Sequence, residues 1–191
     1  IDTDWPALEA RDVPGSTLRH EFVLAQELQE KGIPFVISVW DLPEWLYADP
    51  GRGPGVYGRR VAADKWDELL ECVGSYLQYA KRQYGVEPDL FSFNECREGV
   101  RVQFTAEEHR DVIKRLGVHF EKLGLKTALL LADNASPRGT ETYAKPTTED
   151  PEAMRFVGAL AVHSWGGASP AEYAAWSDLS KAIQKPLLIA E

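Results

Sequence analysis

Two glutamates stand directly after apolar runs. Glu95 closes "DLFSFNE" (89–95), and Glu191 closes "KPLLIAE" (185–191). A pair of carboxylates is the minimum kit for cleaving a glycosidic bond. One protonates the leaving oxygen, and the other attacks the anomeric carbon or activates a water. A separation of roughly 5–5.5 Å gives retention of configuration, and roughly 6.5–9.5 Å gives inversion. Glu95 follows "FSF" and precedes a loop, a setting that suits acid work. Glu191 follows "LLIA" and needs hydrogen-bond donors to act as an ionised nucleophile. Asn94, beside Glu95, offers amide donors to a sugar hydroxyl. Trp40, Trp45 and Trp165 offer flat apolar faces that match the C–H faces of a sugar ring. Asp133 and His163 also fall just after apolar runs, in "LLLADN" and "ALAVHSW". Each residue alone has an ordinary reading. A glutamate past a strand is most often a solvated loop acid, Asp133 and Asn134 can open a turn, and His163 can be a hydrogen-bonded core histidine.

These residues need elements to hold them. "TLRHEFVLAQELQEKG" (17–32) places Leu18, Phe22, Ala25 and Leu28 at helical spacing and ends on Gly32. "IPFVISVW" (33–40) is short, apolar and β-branched, as a buried strand is. A Gly/Pro-rich loop, 48–60, leads to a helix over about 64–84, with Trp66, Leu69, Leu70, Val73, Tyr76, Leu77 and Ala80 on its apolar stripe. "DLFSFNE" is the next strand. The helix at 104–124 opens with a capping box from Thr105 to Glu108 and closes on Gly124. "KTALLLADN" (126–134) is a strand. A loop then reaches a short helix near 151–157, with Asp150 as cap and Pro151 at its first position. "ALAVHSW" (159–165) is a strand, Ser169, Pro170 and Glu172 open a helix to 184, and "PLLIAE" (186–191) is the last strand. An earlier strand is expected just before or at residues 1–5.

Strands alternating with helices make an α/β fold with parallel strands and right-handed crossovers. An open doubly wound sheet and a TIM (β/α)8 barrel both fit. The decorated strand ends favour the barrel, because there every C-terminal strand end converges on one mouth. An open sheet gathers only the ends around its switch point. A complete barrel needs about 250 residues, and this chain has 191. The expectation is therefore one domain, residues 1–191, forming an incomplete barrel with about strands 2 to 7 present.

The formal net charge of −9 argues against a nucleic-acid partner, which needs a basic surface. No apolar run reaches the length of a membrane span. The first residues, "IDTDWPALEA", lack the basic and apolar regions of a signal peptide, and they leave secreted and cytoplasmic locations both open. Cys72 and Cys96 fall on different elements and form no CxxC pair. His109 and His119 are ten residues apart on one helix, not the i, i+4 spacing of metal ligands, so no metal is expected. "GRGPG" (51–55) lacks the GK[ST] ending of a phosphate loop, which disfavours an open nucleotide-binding sheet.

Five segments, in order, resemble glycoside hydrolase family 30, within the clan of retaining (β/α)8 glycosidases. "SVWDLPEWL" (38–46) resembles the third-strand motif, a Trp followed by Pro-x-Trp. "DLFSFNE" resembles the fourth-strand "QNE" segment. "FTAEEHRDVIKRLGVHFEKLGLKTALLLADN" (104–134) resembles the next helix and fifth strand, "ALAVHSW" the sixth strand, and "PLLIAE" the seventh. The resemblance implies that Glu95 is the acid/base and Glu191 the nucleophile. It implies that Asn94 contacts the 2-hydroxyl of the sugar, with Trp40, Trp45, Asp133, His163 and Trp165 lining the pocket. Two positions depart from the family pattern: Cys96 stands where proline is common, and Phe93 where a polar residue is common.

The expected function is a retaining β-glycoside hydrolase working by double displacement, with no cofactor and an oligosaccharide or glycoside as substrate. The competing expectation is a non-catalytic carbohydrate-binding barrel, which would keep the tryptophan platforms and lose the chemistry.

Overall fold

The computed structural model describes residues 3–53 and 55–191. The first described element is α1 (Trp5–Arg11), capped by Asp4, whose carboxylate accepts the Ala7 N–H. Trp5 is therefore helical, and residues 3 and 4 form no strand, so the expected early strand is absent there. Ile1 and Asp2 lie outside the described residues. After α1 come α2 (Thr17–Glu30), β1 (Val36–Val39), a 3-10 turn at Glu44–Leu46, α3 (Trp66–Tyr84), β2 (Leu90–Phe93) and α4 (Ala106–Lys122). The chain continues with β3 (Ala128–Asn134), α5 (Thr140–Thr148), α6 (Pro151–Met154), β4 (Val157–Val162), α7 (Pro170–Ile183) and β5 (Leu187–Ile189).

The five strands make one parallel sheet in the order β1-β2-β3-β4-β5. A doubly wound sheet reverses its strand order at a switch point. This sheet never does, and that continuous winding is the wall of a (β/α) barrel, here with five of its strands. Among the described residues, β1 and β5 each pair on one side only.

The main core lies between the sheet and the helices. Phe91, Phe93, Leu129, Leu131, Leu160 and Val162 face Leu69, Val73 and Leu77 of α3 and Val112, Ile113, Leu116 and Phe120 of α4. Burying each such side chain contributes roughly 1.5–3 kcal/mol. Edge-on ring pairs, Phe91 with Phe93 and with Phe120, and Phe93 with Phe104, give this layer its geometry. The other sheet face carries a small second cluster of Leu130, Ala159 and Ala161, with Leu90 and Leu188 against it. These residues mark the inward face of the wall.

Both expected capping boxes form, Thr105 with Glu108 and Ser169 with Glu172. The segment read as a loop before Pro151 instead contains α5, with Pro146 inside it. Its stripe of Tyr143, Ala144 and Thr147 is buried. That burial offsets the proline, which removes the hydrogen bond its N–H would make to the Thr142 carbonyl.

Candidate functional site

Strict alternation along a strand would scatter the chemistry found here. On β2, Phe91 and Phe93 point into the outer core, so Ser92 and Asn94 point inward and Glu95 should point outward. It does not, because Glu95 has φ 46°, in the left-handed region. The turn re-aims its side chain, and its backbone N–H is held by the Asp133 carbonyl at 3.0 Å. On β3, Leu129 and Leu131 face outward and Leu130 inward, which would send Asp133 outward too. The register shifts between Ala132 and Asn134, so Asp133 is an extra residue with no partner on β4. Ala132 and Asp133 have φ 77° and 55°. A bulge of this kind resets the alternation and turns Asp133 inward. Left-handed backbone at three non-glycine sites, Glu95, Ala132 and Asp133, is strain, and it sits where the carboxylates converge.

The centre of convergence is His163, just past β4 and 1% exposed. Its Nδ1 lies 2.8 Å from Glu95 Oε1, and its Nε2 lies 3.1 Å from Asp133 Oδ1. Glu191 Oε2 is 3.8 Å from the same Nδ1. Burial disfavours the imidazolium, but the hydrogen bond and charge of Asp133, the charge of Glu191 and the bond from Glu95 outweigh it. The His163 pKa is raised above its ordinary value. Asp133 Oδ2 also accepts from the Ser92 hydroxyl at 2.5 Å and from the Ser38 hydroxyl at 3.5 Å. The Glu191 carboxylate accepts the Trp165 indole N–H at 3.1 Å.

Asn94 is 3% exposed, and its Nδ2 has no hydrogen-bond partner among the described residues. It lines a cavity of about 350 Å³ together with Ser38, Asp133, His163 and Glu191, over a floor that includes Leu130 and Leu188. A buried amide donor left unpaired at a cavity wall is a place for an acceptor from a ligand. Among the described residues, no group of three or more His, Cys, Asp or Glu side chains is arranged to hold a metal ion.

Five of the residues picked out from sequence therefore meet directly: Glu95, Asp133, His163, Trp165 and Glu191. Asn94 lines the same cavity. Trp40 and Trp45 do not join them. Trp40 is 48% exposed and lies in a groove along the outer side of β1, against α2. Trp45 lies in a separate depression with α1 and α3. Ser92 and Ser38 were not anticipated. The signal for them was their place on the inward alternation of "FSFN" and "VISV", two residues before Asn94 and Trp40.

No family model matches the chain, and no curated protein matches its sequence. Solved structures do match its fold. SrfJ from Salmonella typhimurium aligns with TM-score 0.75 at 16% identity, over 99% of this chain and 43% of its own. Xyn30A, a family 30 subfamily 8 xylanase from Clostridium acetobutylicum, aligns with TM-score 0.72 at 14% identity, over 98% and 46%. The endo-β1,6-glucanase BT3312 aligns with TM-score 0.71 at 20% identity, over 92% and 40%. The chain thus has a glycoside hydrolase family 30-like fold and spans less than half the length of these proteins.

Proposed function

We propose that the chain carries the catalytic carboxylates of a retaining β-glycoside hydrolase. The observation that carries this reading is that Glu95 and Glu191 both approach one nitrogen of His163, at 2.8 and 3.8 Å. Their near oxygens are no farther apart than the sum of those distances. That bound admits the roughly 5–5.5 Å of a retaining pair and ends near the bottom of the inverting range.

Glu191 attacks the anomeric carbon, oriented by the Trp165 indole N–H. Glu95 gives its proton to the leaving oxygen, then takes one from the incoming water. His163 serves this exchange. With Nε2–H donated to Asp133, the short Nδ1–Glu95 contact holds one proton that rests on either partner. The unpaired Asn94 amide takes a sugar hydroxyl. The substrate is a β-linked glycoside or oligosaccharide.

The test is a panel of aryl β-glycosides with the full-length protein. Glu95→Gln is expected to lower kcat by about 10²–10⁴, least for substrates whose leaving group needs no proton. Glu191→Gln is expected to abolish turnover on all of them. Wild-type turnover in both variants would sink the assignment. Oligosaccharide binding by the wild type with no hydrolysis would instead support a carbohydrate-binding barrel.

A further inference from the structure

Behind the carboxylate cluster, on the helix side of the sheet, lies a buried polar chain that the proposed chemistry does not touch. His109 on α4 is 2% exposed, Cys96 0% and Tyr143 on α5 7%. His109 Nε2 accepts the backbone N–H of Ala132 at 3.0 Å. An accepting Nε2 carries no proton, so a neutral ring has its proton on Nδ1. Nδ1 lies 3.6 Å from Cys96 Sγ, and Sγ lies 3.5 Å from Tyr143 Oη. The Tyr143 hydroxyl donates to the Phe104 carbonyl at 3.2 Å. Every donor then has one acceptor: His109 Nδ1–H to sulfur, Cys96 S–H to the tyrosine oxygen, Tyr143 O–H to a carbonyl.

This chain ends on the backbone that the site depends on. Ala132 is the first left-handed residue of the β3 bulge, and Asp133 is the second. The bulge takes the Ala132 N–H into the core, where an unpaired donor would be costly. Cys96 directly follows Glu95, the other left-handed residue. We propose that His109 is a positioning residue for the carboxylate cluster: as a neutral imidazole with its proton on Nδ1, it holds the Ala132 N–H and so keeps Asp133 aimed at His163. The Ala132 N–H sets that tautomer, and the Cys96 sulfur, itself donating to Tyr143, accepts its Nδ1–H. Burial supports it by pushing the His109 pKa down to about 4, against a weaker opposing pull from Asp133. The idea rests on the proposed function only in treating the cluster as the site.

Nitrogen-15 NMR of the histidine rings tests the idea without substrate. In the wild type, His109 is expected neutral between pH 5 and 8, with its proton on Nδ1, and His163 is expected to titrate above its ordinary value. His109→Leu is expected to lower the His163 midpoint by roughly half a unit or more, as Asp133 turns away. His109→Gln can accept from Ala132 and donate to Cys96, and should restore most of that loss. If the leucine variant does not fold, Cys96→Ala serves instead. It leaves the His109 Nδ1–H without its acceptor, so it should loosen the ring's hold on Ala132 and lower the His163 midpoint as well. A wild-type proton on Nε2 overturns the proposal, as does a His163 midpoint unmoved in a folded His109→Leu or Cys96→Ala. Absence of glycosidase activity with these titrations as expected would sink the functional reading and leave His109 in its role.

Discussion

Two of the buried histidines, His163 and His109, should leave opposite marks on stability. His163 has a raised pKa in the folded protein, so its contribution is fully present below the unfolded value of about 6.5 and is lost as pH rises through the folded midpoint. His109 has its pKa pushed down to about 4, so the unfolded chain takes up a proton first as pH falls. Between about pH 6.5 and 4 that difference removes on the order of 3 kcal/mol. Together the two give a stability maximum near pH 6.5. Urea unfolding at pH 4.5, 6.5 and 8.5 checks both limbs. His109→Gln should make the acid limb shallower, leaving the smaller part from His119, which burial also holds below its ordinary value, and His163→Gln should flatten the alkaline one. A wild-type curve that rises steadily from pH 6.5 to 8.5 contradicts the His163 half. At this scale the residue types and their order were legible in the sequence. The convergence of Glu95, Asp133, His163 and Glu191 was not, because it needs left-handed backbone at Glu95, Ala132 and Asp133, which no residue type there announces.

At the level of elements, the strand ends work because two irregularities interrupt the pleat between β3 and β4. Asp133 is the extra residue on β3, and Gly158 is skipped on β4, where the register jumps from Val157 to Ala159. Gly158 is the one that can be tested by packing. A Cβ there would meet Leu90 Cδ2 and would sit 2.8 Å from Ala128 Cβ. Gly158→Ala is expected to cost about 1–3 kcal/mol, measured as a drop in the denaturation midpoint. It should also shift β4 relative to β3 and so disturb the His163–Asp133 bond. A variant as stable as wild type, with the His163 titration unchanged, would show that the skipped position tolerates a side chain. The regular elements were legible from apolar period and caps: α2, α3, α4, α7 and all five strands fall where expected. Helix α5 was not, because Pro146 reads as a break until its buried face against α4 is known. Helix α1 was missed for another reason. Seven residues carry too little periodicity, and none of them is buried.

For the molecule as a whole, the alternation of strand and helix implied parallel strands and the decorated strand ends favoured their continuous order, but neither says how the two outer strands are covered. β1 and β5 each present an unpaired row of backbone donors and acceptors among the described residues, with Val36 39% and Ile189 66% exposed. Such edges template strand pairing between molecules. The net charge of −9 opposes it, since like-charged molecules repel at distances within a Debye length, about 10 Å at 0.1 M salt and 3 Å at 1 M. The 191-residue chain alone is therefore expected to associate as salt is raised, the reverse of an assembly held by ion pairs. Sedimentation at 0.05 and 1 M NaCl reads this directly. Ile189→Lys and Val36→Lys place a charge on each edge and should return the chain to monomer at high salt. Two outcomes would contradict edge pairing: a chain that stays monomeric throughout, or association that survives both lysines.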